Sequence, residues 1–293
     1  GKTRAFLKIE DGCQSFCSYC KIPFARGPIR SLPPETALTE FRRFLALGFK
    51  EVVLVGIHLG AYGRYLGFDL AGLIRIIDRE KGNFRVRLGS VEQVDFTPEL
   101  VTAFSQAESF CPHLHIPLQS GSASVLSRMN RPYTPGDYAR ILADLRREQP
   151  GLSISTDLMV GFPGETEKEF CETIDFLADQ EFSRIHIFPF SAREGTRAAK
   201  MPGHISRRVK EERKKRAMEA ARRVTAAYRQ KLNGKTVEVL TEKESAPGTW
   251  EGFCGQYLRV KINGRFTGNY FVNARIAGVE SEPLSAVPLD KDM

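Results

Sequence analysis

Asp11-Gly12-Cys13-Gln14-Ser15-Phe16-Cys17-Ser18-Tyr19-Cys20 puts three of the chain's six cysteines within eight residues, at C-x3-C-x2-C spacing. Cys111, Cys171 and Cys254 are scattered and read as ordinary buried cysteines. Three clustered thiolates make a metal site the first reading, and three ligands rather than four leave a coordination position open. Closely spaced cysteines in a chain whose start lacks an apolar signal segment read as metal or redox ligands, not as a disulfide frame. A cytoplasmic protein is expected. No apolar run is long enough to span a membrane. The chain starts at Gly1 rather than Met, which favours a piece cut from something longer.

Outward from the cysteine loop, strands and helices alternate. Residues 5–9 read as a strand just before the loop. Pro33-Pro34-Glu35 opens a helix, because proline suits the first turn and a carboxylate suits the positive end of the dipole. Residues 51–56 form a continuous apolar run, the pattern of a parallel strand covered on both faces. Strands are expected again at 84–88, 113–117, 153–160 and 184–189, with helices between them. Six βα units are too few to close an eight-fold barrel. The expected fold is therefore α/β: an open, partial (β/α)6 TIM-like barrel, with its chemistry at the C-terminal strand ends where the cysteine loop sits.

The chain has 293 residues, 42% of them hydrophobic, enough for one large domain and a small one. Net charge is +8, and it is unevenly spread. Residues 205–235 hold twelve Lys/Arg against three Glu, a net of +9, so the rest of the chain sums to −1. Such a block is either a polyanion footprint or the solvated face of a long helix. After Asn233-Gly234 the pattern changes to short alternating strands separated by turns, which reads as a small all-β OB-like barrel. The expected division is residues 1–232 and 233–293.

The cysteine triad has two readings. Zinc takes four ligands, and no fourth lies at a usual zinc spacing, although a distant Cys or His could complete a structural site. The other reading is a 4Fe-4S cluster held by three thiolates, with one iron free for a ligand. Here a resemblance enters. Cys13-x3-Cys17-x-Tyr19-Cys20 after the first strand of a βα series resembles the radical S-adenosylmethionine (SAM) superfamily. In that superfamily the free iron is chelated by the amino and carboxylate groups of SAM, and the cluster's electron cleaves SAM to a 5′-deoxyadenosyl radical. Asp11-Gly12-Cys13 with Ile22-Pro23-Phe24-Ala25-Arg26-Gly27, Leu118-Gln119-Ser120-Gly121-Ser122, and Asp157 with Val160-Gly161-Phe162-Pro163-Gly164-Glu165-Thr166 together resemble the tRNA methylthiotransferases (the MiaB and MtaB types). The final barrel is similar to that family's RNA-binding TRAM module. Gly56-Ile57-His58-Leu59-Gly60 with Tyr62-Gly63 looks most like the MtaB type, which methylthiolates C2 of N6-threonylcarbamoyladenosine beside the tRNA anticodon.

The resemblance implies roles by matching position. Cys13, Cys17 and Cys20 hold the cluster, with no catalytic residue beyond them. The SAM pocket is drawn from Tyr19, Gly56, His58, Gly60, Glu92, Gln119, Ser120, Asp157 and Gly161. Alternatives stay open for each: a strand-to-helix turn at 56–60, a surface carboxylate at Glu92, a capping turn at 120–122, a buried satisfied Asp157, tight turns at Gly161 and Gly164. Arg26, Arg30 and Arg131 meet RNA phosphates or are solvated. His113, His115 and His186 read as core histidines. Trp250, Phe253, Tyr257, Tyr270 and Phe271 stack bases or pack the barrel core. The implied partners are the tRNA anticodon stem-loop and an electron donor such as flavodoxin or ferredoxin, with no membrane. The family also carries an amino-terminal domain with a second 4Fe-4S cluster that helps supply sulfur, and nothing in this chain corresponds to it. Other targets are isopentenyl-adenosine or a ribosomal protein, and a non-catalytic tRNA-binding fragment with a structural metal is a further reading.

Overall fold

The six expected strands form in the order expected, and they leave the wall they build with two free edges. A computed structural model describes residues 3–289. β1 (Arg4–Lys8) leads into a short hairpin, β2 (Glu10–Asp11) with β3 (Arg30–Ser31), which brackets the cysteine loop. β4 (Glu51–Val55), β5 (Arg85–Leu88), β6 (His113–His115), β7 (Ser153–Val160) and β8 (Arg184–Pro189) come next along the chain. All neighbours pair in parallel, in the orders β1-β4-β5 and β6-β7-β8. Isolated bridges Val86–Phe110 and Ser90–His115 join the two halves into one open six-stranded wall. β1 and β8 are its edges.

The helices start where local chemistry dictates. α1 (Ile22–Arg26) comes after the cysteine loop, and α2 (Pro34–Ala46) carries proline and Glu35 in its first turn. In α3 (Leu70–Asp78) the Asp69 carboxylate accepts from Gly72 N, and in α4 (Pro98–Gln106) Thr97 accepts from Leu100 N. α5 (Ala123–Arg128) is short. α6 (Pro135–Glu148) and α7 (Glu167–Asp179) begin with reciprocal capping boxes, Thr134 with Asp137 and Thr166 with Glu169. Their apolar sides, with the Val52 and Leu54 face of β4, make one large core. α8 (Arg207–Gln230) lies against β7 and β8. α1, α5 and the β2–β3 hairpin are too short to leave a periodic signal in the sequence.

Among the described residues the C-terminal strands number five. β9 (Thr236–Ala246), β10 (Thr249–Cys254), β11 (Arg259–Asn263), β12 (Phe271–Gly278) and β13 (Leu284–Pro288) close in the order β10-β11-β13-β12-β9. This barrel has its own core, which includes Tyr228 and Leu232 from the end of α8 and the turn after it.

The barrel sits under the N-terminal ends of the parallel strands. Glu51, 0% exposed, takes three arginines: Arg4 Nε at 2.5 Å, Arg85 Nε at 2.6 Å and Arg87 Nη2 at 3.3 Å. Arg85 and Arg87 also donate to barrel carbonyls of Glu238, Phe253, Cys254 and Gly255. Burial alone would raise the Glu51 carboxyl, but Arg87, Arg85 and Arg4 outweigh it and hold its pKa at about 2. Phe253 and Tyr257 stack with centroids 4.9 Å apart, and Arg87 lies 4.4 Å over the Tyr257 ring.

Candidate functional site

The cysteine loop is pinned at both ends. Gly12 has φ +94°, and a Cβ there would stand 2.1 Å from Pro28 O, so only glycine fits. Cys13 N donates to Gly27 O at 3.1 Å, and Ser18 N donates to Met129 O at 2.9 Å. All three thiols are free and half-buried. Each accepts a hydrogen bond: Cys13 Sγ from Ser15 N at 3.5 Å, Cys20 Sγ from Ile22 N at 3.4 Å, and Cys17 Sγ from Arg131 Nη1 at 3.6 Å. Such donors tune a bound cluster.

The donor set discriminates between the two readings of the triad. Sulfur ligands of one tetrahedral zinc, with Zn–S of about 2.3 Å, lie roughly 3.8 Å from one another. Among the described residues, the only His/Cys/Asp/Glu set with ligand atoms all within 4.8 Å is His115, Asp157 and His186. At least one pair of triad sulfurs is therefore wider apart than a single ion needs. Three thiolates spread around a larger body fit a 4Fe-4S cluster.

Beside the loop stands a charge relay from the strand ends. His58 Nδ1 is 3.9 Å from Cys13 Sγ, and His58 Nε2 is 2.8 Å from Asp95 Oδ2. Burial pushes the imidazole down, but Asp95 and Cys13 outweigh it and raise its pKa to about 10. Burial likewise opposes ionisation of Cys13, yet hydrogen bonds from His58 and Ser15 bring its thiol below the usual value. Burial raises Cys20, and its two neighbouring thiols add to the rise. His58 N donates to the buried Glu10 Oε2 at 2.6 Å. Gly56 and Gly60 are needed for this packing, since a Cβ on either would meet Glu10 at 2.7 Å or Asp95 at 2.4 Å. Glu10 and Asp95 carry no motif of their own, and the sequence reading missed them.

The structure separates the remaining expected residues. Glu92 is not a free surface carboxylate: it grips Arg131 at 2.5 and 3.1 Å. Arg131 is 8% exposed, so it is neither solvated nor available to RNA phosphates. Its work is to bring positive charge to Cys17. Tyr19 packs with the apolar group of Val125, Met129, Phe162 and Phe190 beneath the loop. Gln119, at φ +69°, bridges to β7, its N–H donating to Asp157 O. Ser120 is 1% exposed, and its hydroxyl lies 3.2 Å from Thr173 Oγ1 on α7. Gly161, at φ +73°, makes room for the Lys210 side chain, which a Cβ would meet at 2.4 Å. Gly164 also has positive φ and its N donates to Gly203 O. Arg26 and Arg30 stay exposed near Asp11.

Asp157 joins two histidines inside the wall. His115 Nε2 is 3.3 Å from Asp157 Oδ2, and His115 Nδ1 is 2.9 Å from Ser155 Oγ. His113 is a core histidine, but His115 is half-buried and His186 is exposed, so neither is one. Cys171 departs from expectation too: it is half-buried beside Glu167 and Arg216, whereas Cys111 and Cys254 are buried. In the barrel, Trp250 and Tyr270 pack on its core, while Phe253, Tyr257 and Phe271 face the arginines of the floor.

A three-thiolate loop at the C-terminal rim of an open parallel wall defines the class. Residues 7–177 match the radical SAM superfamily, and the chain belongs to it. Membership implies SAM and a 4Fe-4S cluster. The chain is 41% identical over 282 residues to the threonylcarbamoyladenosine tRNA methylthiotransferase MtaB of Thermotoga maritima, covering 96% of this chain and 65% of that relative. It is 39% identical over 287 residues to the MtaB of Chlamydia pneumoniae, covering 97% and 68%. It is 43% identical over 244 residues to the tRNA-2-methylthio-N(6)-dimethylallyladenosine synthase of Moorella thermoacetica, covering 83% and 55%. Within the superfamily, the chain belongs to the tRNA methylthiotransferases. It spans about 65% of the first of these relatives. Among solved structures, the radical SAM methyltransferase TsrM of Kitasatospora setae superposes with TM-score 0.57 at 18% identity, over 67% of this chain and 38% of that one, a likeness of fold alone.

Proposed function

We propose that this chain is the catalytic and RNA-binding part of an enzyme that adds a methylthio group to C2 of N6-threonylcarbamoyladenosine beside the tRNA anticodon. The carrying observation is the three-thiolate loop at the strand-end rim, in a chain related to MtaB proteins over 96–97% of its length. Bound there, the cluster supplies the electron that cleaves SAM. The chain's own residues hold the thiols, bring Arg131 and His58 to them, and leave the rim accessible. A second cluster, on a segment outside this chain, takes part in supplying sulfur. Flavodoxin or ferredoxin is the proposed electron donor and the cytoplasm the compartment. We divide the chain into a radical SAM part, residues 1–232, and a TRAM-like barrel, residues 233–293.

The test has two stages. Anaerobically reconstituted chain should bind about four irons and release 5′-deoxyadenosine from SAM once reduced. Stoichiometric zinc without iron would overturn the cluster. The full-length enzyme, given stem-loops bearing threonylcarbamoyl- or dimethylallyl-adenosine, should methylthiolate the first. Turnover of only the second would favour the other reading, which rests on the Moorella thermoacetica relative.

A further inference from the structure

The basic block of residues 205–235 is sorted by the fold into two sets. Lys210 donates to Phe190 O, Arg213 pairs with Glu165, Arg216 with Glu167, Arg229 bonds Val279 O, and Lys231 pairs with Glu181. These tie α8 to the wall and the barrel. Lys214 and Arg222 have no ion-pair or hydrogen-bond partner for their side chains among the described residues. With Met218, Thr225 and Arg229 they recur every three or four residues, so they form one stripe along α8.

That stripe faces the free edge strand. Between α8 and β8 runs a groove of about 400 Å³, lined by Lys214, Met218, Arg222 and Arg229 on one side and Arg184, His186 and Phe188 on the other. Its charged residues are four Lys/Arg against one carboxylate, Glu282. Ser183, Arg184 and His186 also line a second cavity of about 220 Å³ that reaches inward past Phe6 and His115 to Arg87 and Tyr257. Phe6 and Phe188, on the two free edge strands, are 64% and 51% exposed. A basic groove opening into a chamber of aromatic and imidazole side chains suits a phosphate backbone outside and one unstacked base inside. The C-terminal barrel offers less for stacking, since Phe253, Tyr257 and Phe271 are engaged by the floor arginines.

We propose that single-stranded RNA lies along the groove between α8 and β8, its phosphates on Lys214 and Arg222. The target base turns past Phe188 and His186, through the free edge of the wall, into the chamber. There His186, His115 and Asp157, whose polar atoms gather within 4.8 Å, meet its edge. This rests on the tRNA reading above, and it assigns the side opening rather than the C-terminal barrel as the seat of the strand.

The experiment uses the whole chain and an anticodon stem-loop carrying 2-aminopurine at the target position. Binding is followed by anisotropy across a salt series, and base exposure by fluorescence. Lys214→Glu with Arg222→Glu should weaken binding at least tenfold and lower the salt slope by about 1.5, as expected for two lost phosphate contacts on a single strand. Lys215→Glu with Arg223→Glu, an equal charge change off the groove, should cost less than threefold. The 2-aminopurine signal should change on binding, and His186→Trp, which fills the entrance to the chamber, should abolish that change. Equal losses in the two double variants, or an unchanged 2-aminopurine signal at saturation, overturn the groove while leaving the tRNA reading standing. No RNA binding by the unaltered chain overturns both. Binding of polyglutamate in preference to RNA, lost in the Lys214/Arg222 variant, would place an acidic protein segment there and also overturn the proposal.

Discussion

The two ends of the parallel wall use charge in opposite ways. At the C-terminal rim, Arg131 and the His58–Asp95 pair are aimed at thiols that stay half-buried, while Phe16 and Phe24 stand 50% and 72% exposed beside them. At the N-terminal floor, three arginines converge on Glu51 against a closed barrel that adds Glu242 and Glu238, with Arg85 and Arg87 only 5% and 2% exposed. The rim directs its electrostatics at a ligand, whereas the floor uses them to join two parts of the chain. Chemistry at the strand ends and stability at the strand starts is the division that open and closed βα barrels share.

Exchanging the two roles by mutation tests this division. The largest effect is expected at the rim: Cys17→Ala should reduce bound iron from about four per chain to near zero and abolish 5′-deoxyadenosine release. It should leave the urea midpoint of the metal-free chain unchanged, and a large stability loss would blur the division. At the floor, Glu51→Ala takes the shared carboxylate from two buried guanidinium groups, Arg85 and Arg87, and should cost about 3–5 kcal/mol. Trp250, the single tryptophan, lies in the barrel. Its fluorescence should therefore follow the barrel, and far-UV circular dichroism the whole chain, as that variant unfolds.

Acid should weaken the floor. The Glu51 pKa is lowered from 4.5 to about 2. Its contribution is complete above pH 4.5 and is lost as pH falls from there towards 2, up to about 3 kcal/mol. Glu51→Gln should flatten the acid limb of a stability–pH curve, and an unchanged limb would place the acid sensitivity elsewhere. Tyr257→Ala, which removes the ring between Phe253 and Arg87, should cost about 2 kcal/mol in a urea melt. Phe24→Ala, at the exposed rim, should fall within about 0.5 kcal/mol. A larger loss there would show that the rim is structural after all.

Much of the wall is legible in the sequence because its signals are local. The apolar run of β4, the prolines and carboxylates at helix starts, and the Cys13-Cys17-Cys20 spacing need no distant partner to be read. Glu92 and Arg131 are harder. In the sequence the first reads as free or ligand-bound and the second as solvated or RNA-bound, yet each satisfies the other across 39 residues. Resemblance assigns Gly161 to a cofactor, and the fold adds a demand the sequence does not show: its missing Cβ admits Lys210 from a helix some fifty residues on. The barrel aromatics read as base-stacking or core residues, and three of them instead meet arginines on the strand starts.

By itself the sequence determined the parallel wall, the three-thiolate loop at its chemical end, the long basic helix and a small barrel after it. These arise from periodicity, turn residues and ligand spacing, all set within a few residues of chain. Only the tertiary structure decided which cations are occupied and which are free. Lys210 and Lys214 stand one helical turn apart and look alike in the sequence, yet one is fastened to Phe190 O and the other faces an open groove. The same holds for Arg87 and Arg131, where the fold alone supplies a carboxylate, a carbonyl or a thiol. Charge acts through space, and the partner that fixes its role lies dozens of residues away.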